Sequence, residues 1–408
     1  IVFHSIPHRQ GFAAGILRPG SMIDAGNSAT YGAISAAPTV STLTLLSGRH
    51  PMLAKELKTA VDKVVEANPC LSARVVNKDN RMLLEPGVHK DIFFRVVDPP
   101  KECPLIGSLD LKGKLQFLQN LEQNFTNPGT AMNTIKSGCQ VFLVELMTFP
   151  EPYVCFVIHL SHLVGDAKTL YDIVSQLNAI LAGRQIEALD WECPARNNFE
   201  LLPLSLKDRQ KVINWGCFGW LGQLLFGPKR QNHVSLLSKS QIEQEKERQK
   251  TSKSKFLSSN DIITAALSRS IKNSYVMNVA VNMRNKAGVP GNVAGNYWHS
   301  VPMDHQAAAD PNTIREFLPK LEYYKDGEVP CWPFFRGRYS FITNWTSFTT
   351  PFQVEGLTLD CHAVHGNFLR ENPTNVAVVF HCAKDTMALS HNVPATNIDP
   401  TGLGAICQ

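Results

Sequence analysis

Two apolar runs parted by a proline pair, followed at once by an amphipathic stripe, constrain this 408-residue chain more than any other feature. "QVFLVELMTF" (140–149) and "YVCFVIHLS" (153–161) read as strong strands, with Pro150 and Pro152 between them. Leu170, Ile173, Val174, Leu177, Ile180 and Leu181 then recur at helical spacing, and Gly183 is a natural stop. Strands that feed a helix indicate a mixed α/β chain. His162 and Asp166 stand at the hinge between the buried strand and that helix.

The same alternation continues on both sides. "TVSTLTLLSG" (39–48) is a strand, and Leu53, Leu57, Ala60, Val61, Val64 and Val65 mark a helix that Asn68-Pro69 stops. "LSARVVNKDNRMLLEP" predicts a hairpin turning at 77–80. "SSNDIITAALSRSI" (258–271) predicts a helix capped by Ser259 or Asn260, with Ile262, Ile263, Ala266, Leu267 and Ile271 inward. "YVMNVAVNM", "RYSFITNW", "NVAVVFHCA" and "TMALSHNV" predict further strands. The division expected is an arm at 1–30, a first lobe at 31–200, a crossover at 201–230 and a second lobe at 231–408.

A net charge of +5 suits an anionic small molecule and is too scattered to argue for nucleic acid. The ten cysteines form no C-x-x-C pair, so no structural metal and a reducing intracellular compartment, cytoplasmic or organellar, are expected. No run reaches the roughly 18 apolar residues of a membrane span. Residues 1–23 lack acidic residues but contain Arg9 and Arg18, which suits the tail of a transit peptide or an ordinary N-terminal arm equally.

"WGCFGWLGQLLFG" (215–227) has basic residues on both flanks. It reads either as a crossover packed on the lobes or as a flap that rests on a membrane or a hydrophobic partner through Trp215, Phe218 and Trp220. "SKSQIEQEKERQKTSKSK" reads as a solvated charged helix or linker.

The spacing H-x-x-x-D occurs twice. His381 and Asp385 lie in a strand–turn–strand pattern and read as structural. His162 and Asp166 follow a strand and open a helix, where a histidine beside a carboxylate can serve as a general base near neutral pH. The plainer alternative is that Asp166 only caps the helix and His162 is a satisfied core residue.

"SHLVGDA" (161–167) resembles the H-H-x-x-x-D-G signature of CoA-dependent acyltransferases. That superfamily includes the BAHD acyltransferases, condensation domains, wax ester synthases and chloramphenicol acetyltransferase. "LSGRHPMLAKELKTAVDKVVEANPCLSARV", "FLSSNDIITAAL", "VAVNMRNKAGVPGNVAGNYW" and "FITNWTSF" resemble further family segments, in the family's order, over roughly residues 35–390. The resemblance implies two chloramphenicol-acetyltransferase-like lobes with mixed sheets and a tunnel between them. It makes His162 the general base, Asp166 a positioning residue paired with Arg284, and Thr343 and Trp345 the groups around the tetrahedral intermediate.

Acyl-CoA is then the co-substrate, with no permanently bound cofactor, and a lipophilic hydroxyl (or amine) is the acceptor in lipid or secondary metabolism. The protein is expected to act as a monomer. Lys250, Lys253 and Lys255, ahead of the "SSND" helix, are the expected contacts for the CoA phosphates. The chain departs from the pattern in three places. Ser161 replaces the first His, Ala167 replaces the Gly, and "LDCHAVHG" (359–366) stands where BAHD members carry D-F-G-W-G. Ala167 would be strained if that position needs positive φ. The alternatives are a non-catalytic binding or assembly subunit of the same fold and a carrier-dependent condensation domain.

Overall fold

The computed structural model describes residues 23–27, 39–78, 81–85, 93–127, 129, 140–150, 152–191, 230–251, 256–272, 274–286, 288–321, 338–370 and 374–408. The strands in chain order are β1 (Ile23–Asn27), β2 (Val40–Ser47), β3 (Arg74–Lys78), β4 (Arg81–Glu85), β5 (Phe94–Val97), β6 (Phe142–Thr148) and β7 (Tyr153–Leu160). They continue with β8 (His233–Leu237), β9 (Ser274–Asn282), β10 (Trp298–Asp304), β11 (Arg338–Asn344), β12 (Thr358–Val364), β13 (Asn375–Ala383) and β14 (Thr386–His391). The longer helices are α1 (Leu53–Ala67), α2 (Leu111–Leu121), α3 (Ala167–Leu181), α4 (Lys239–Gln249), α5 (Ser259–Ser270) and α6 (Pro311–Phe317).

Local chemistry explains the elements that frame the site. In α1, Leu53, Leu57, Ala60, Val61 and Val64 are buried on one stripe. The Asp166 side chain caps α3 by accepting from Thr169 N at 3.0 Å, and Gly183 just beyond its end has φ +71°. α5 is capped by Ser258, one residue earlier than the pattern suggested, in a reciprocal box with Asp261. The charged stretch over α4 is not freely solvated, because Ile242 and Glu245 are buried.

The first main sheet has the order β12-β2-β7-β6-β5 and is antiparallel except between β5 and β6. The second has the order β10-β9-β11-β13-β14-β8, with β11 parallel to both neighbours. A small third sheet, β1-β4-β3, draws in a strand from the expected N-terminal arm. The expected hairpin is β3 and β4.

β12 crosses between the two main sheets. It lies within 231–408 yet pairs with β2 of the first sheet, from Thr358↔Ser47 to Val364↔Thr42. Cys361, Ala363 and Val364 on β12 join the first core, so burial favours the crossing.

Strand alternation joins the lobes. On β13, Val376, Val378, Phe380 and Cys382 belong to the first core. Ala377 and Val379 face the second core with Ile262, Ile263 and Leu267 of α5. One face of the second sheet therefore packs on its own helices and the other on the first lobe.

Candidate active site

His162 follows β7 in a short turn, in which Ser161 N donates to Val141 O and Val164 N to Ser161 O. The residue is 8% exposed. Asn296, from the loop ahead of β10, meets it twice: Asn296 Oδ1 is 2.9 Å from His162 Nδ1, and Asn296 Nδ2 donates to His162 O at 2.6 Å. The edge-on ring of Trp298 lies 6.5 Å away, and Phe341 stands 5.7 Å beyond it. Asn296, Trp298, Ser300, Phe341 and Thr343 are all half-buried. Burial lowers the pKa of His162 below its usual value, and the Asn296 hydrogen bond, the Asp166 charge and a contact with the residue's own backbone carbonyl only partly oppose it.

Asp166 and Arg284 are both buried, one opening α3 and the other following β9. Arg284 Nη1 donates to Asp166 Oδ2 at 2.8 Å, and Nη2 donates to Oδ1 at 3.1 Å. The carboxylate also accepts from Thr169 N and Tyr297 N. Burial pushes the Asp166 pKa up, but the Arg284 charge and these hydrogen bonds outweigh it and hold the carboxyl below its usual value. Thr169 Oγ1, Arg284 Nη2 and Asp166 N all donate to Gly295 O. The pair thereby holds the loop that carries Asn296.

Thr343 and Trp345 are linked to each other, Trp345 Nε1 donating to Thr343 Oγ1 at 3.0 Å. Trp345 is buried edge-on against Tyr171 of α3. Thr343 and Phe341 share one face of β11, so Thr343 lies on the side that carries the aromatic row.

No family model and no curated protein matches this chain. Solved structures do match over nearly the whole length. F. sporotrichioides TRI101, solved with coenzyme A and T-2, aligns with a TM-score of 0.64 at 13% identity, covering 91% of this chain and 94% of that one. The condensation domain of the monacolin K polyketide synthase MokA aligns with a TM-score of 0.59 at 10% identity, covering 94% of both chains. The first condensation domain of the CDA synthetase gives 0.55 at 12% identity, over 92% of this chain and 90% of that one. The chain shares the two-lobed, chloramphenicol-acetyltransferase-like fold of these solved structures.

Within this fold, the departures noted in the sequence take a definite form. Ala167 is the first residue of α3 and is not among the residues with positive φ, so the anticipated strain is absent. "LDCHAVHG" supplies β12, where His362 bridges Thr44 Oγ1 at 2.9 Å and Tyr171 OH at 2.8 Å. Asp385 is a hairpin-turn residue with φ +58°, between β13 and β14.

Lys250 is exposed and 3.6 Å from Glu247, while Lys253 and Lys255 lie outside the described residues. The first turn of α5 carries the Asp261 carboxylate, which accepts from Ser258 N at 2.8 Å and pairs with Arg315. The apolar segment 215–227 is also outside the described residues. Among the described residues, no helix is long and apolar enough to cross a membrane and no cluster suits a metal ion.

Sequence reading assigned no role to Asn296, Trp298 or Phe341. The only signal for Asn296 was its place in the Gly-Asn pair of "AGNYW".

Proposed function

We propose that this chain is an acyl-CoA-dependent acyltransferase that moves an acyl group from a thioester to a hydroxyl (or amine) acceptor, with His162 as general base. The observation that carries the reading is a buried imidazole at the junction of two lobes, held by Asn296 beside half-buried aromatic and polar side chains. The fold it shares with TRI101, which was solved with coenzyme A, supports CoA as the donor's carrier.

His162 Nε2 takes the acceptor's proton as the acceptor oxygen attacks the thioester carbonyl carbon. The carbonyl π pair moves onto oxygen. Because Trp345 Nε1 donates to Thr343 Oγ1, the Thr343 O–H is left as the donor to that oxyanion. The intermediate collapses, the C–S bond breaks with its pair on sulfur, and the imidazolium returns the proton to give free CoA thiol. Asp166, with both oxygens engaged by Arg284, Thr169 and Tyr297, positions and does not act as a second base. The rings of Trp298 and Phe341 suit the apolar body of a lipophilic acceptor.

The test is release of free thiol from acetyl-, octanoyl- and palmitoyl-CoA with a panel of lipophilic alcohols. His162→Ala should lower the rate by about 10²–10⁴-fold. Equal rates in both proteins would sink the reading.

A further inference from the structure

Asn296 Nδ2 donates to the carbonyl oxygen of His162 at 2.6 Å, while the other end of the amide lies 2.9 Å from His162 Nδ1. A backbone carbonyl only accepts, so the amide end that faces it must be the NH2 group. The end facing Nδ1 is then the oxygen, which also only accepts. Nδ1 must carry the proton, and Nε2 keeps its lone pair. We propose that Asn296 is the positioning residue of this site: reaching from the second lobe, it fixes His162 in the Nδ1–H tautomer and so makes Nε2 the basic nitrogen.

The residues on either side explain how Asn296 is held. Gly295 O accepts from Asp166 N at 3.2 Å, from Thr169 Oγ1 at 2.9 Å and from Arg284 Nη2 at 3.0 Å. Gly295 N donates to Thr169 Oγ1 at 3.0 Å, and Tyr297 N donates to Asp166 Oδ2 at 3.0 Å. Gly295 has φ +133°, a conformation that glycine adopts without the Cβ penalty. The Asp166–Arg284 pair thus acts on His162 through Asn296, across 134 residues of chain.

An amide also suits a base better than a carboxylate here. It accepts the Nδ1 proton without the charge that would raise the imidazolium pKa. Asp166, the charged group that acts on the ring, forms an ion pair with Arg284. His159, three residues back on β7, is engaged by Ser41 at 2.7 Å and Glu145 at 2.8 Å. Trp298 faces the ring edge-on without charge.

This inference rests on the proposed acyl transfer for its kinetic arm alone, and the deciding readout needs no substrate. Two-bond ¹H–¹⁵N correlation of ¹⁵N-histidine-labelled protein reports the tautomer of His162, its signal being identified by its loss in His162→Gln. The unmutated protein should show the Nδ1–H form at neutral pH. Asn296→Ala should show a mixture with the Nε2–H form. Asn296→Asp, which keeps an acceptor at Nδ1, should raise the titration midpoint of His162 by about one pH unit or more.

With acetyl-CoA as donor, Asn296→Ala should lower kcat by about 100-fold or more, as a wrong tautomer does elsewhere. Its KM for acetyl-CoA should stay within about a factor of two, because Asn296 acts on the base and not on the thioester. A pure Nδ1–H tautomer in Asn296→Ala, or an unmoved midpoint in Asn296→Asp, would overturn the proposal. Inactivity of the unmutated protein with every acyl-CoA would instead remove the acyltransferase reading and leave the tautomer result standing.

Discussion

Asp166 and Arg284 form a two-point ion pair across the junction of the two main sheets, with Nη1 2.8 Å from Oδ2 and Nη2 3.1 Å from Oδ1. Neither side chain has appreciable access to water. Asp166→Asn would leave the guanidinium buried without its counter-charge, at a cost of about 3–5 kcal/mol. Urea unfolding at pH 7 measures it, and a loss below about 1 kcal/mol would show that the pair does not hold the lobes. The folded pKa of Asp166 is lowered, so its contribution is full above the unfolded value of about 3.9 and is lost as pH falls through the folded one. The two proteins should therefore differ at pH 5–8 and converge only in acid.

Thr343 and Trp345 should separate kinetically. Thr343→Val removes the donor assigned to the oxyanion and should lower kcat by about 100-fold, with KM little changed. Trp345→Phe keeps the ring and removes only the N–H that orients Thr343 Oγ1, so its loss should be smaller, about tenfold. A larger loss from Trp345→Phe than from Thr343→Val would mean that the indole N–H itself meets the reacting oxygen.

Ala167→Gly introduces the glycine of the signature that "SHLVGDA" resembles and should nevertheless destabilise the protein. Ala167 opens α3 without positive φ, so glycine relieves no strain and adds backbone freedom to the unfolded chain. The expected cost is up to about 1 kcal/mol, read as a lower Tm. A rise in Tm would show that the turn is strained after all.

Glu122, buried after α2, accepts from Gly366 N and from Arg370 Nη2. Burial nevertheless pushes its pKa up to about 7, against those two contacts. The folded state then holds a proton that the unfolded state releases at lower pH. Stability from this site is full below the unfolded value of about 4.3 and is lost as pH rises through about 7. Glu122→Gln should therefore gain in Tm relative to the unmutated protein between pH 5 and pH 8. A Tm difference that does not change over that range would refute the assignment.

The sequence by itself determined what is written in local periodicity and in short-range capping. β7, α3 and the hinge between them follow from one apolar run, one helical stripe and an aspartate three residues before the amide it caps. The resemblance that the ordered motifs carry implied the fold and the matching of Asp166 with Arg284. Tertiary structure alone decided the crossing of β12 into the first sheet, the helical backbone of Ala167 and the grip of Asn296 on His162. The bonds that link Asn296 to His162 join groups 134 residues apart. Periodicity reports which face of an element is buried. It carries no record of which distant element covers that face, because that choice is settled by packing and by the pairing of buried polar groups over the whole molecule.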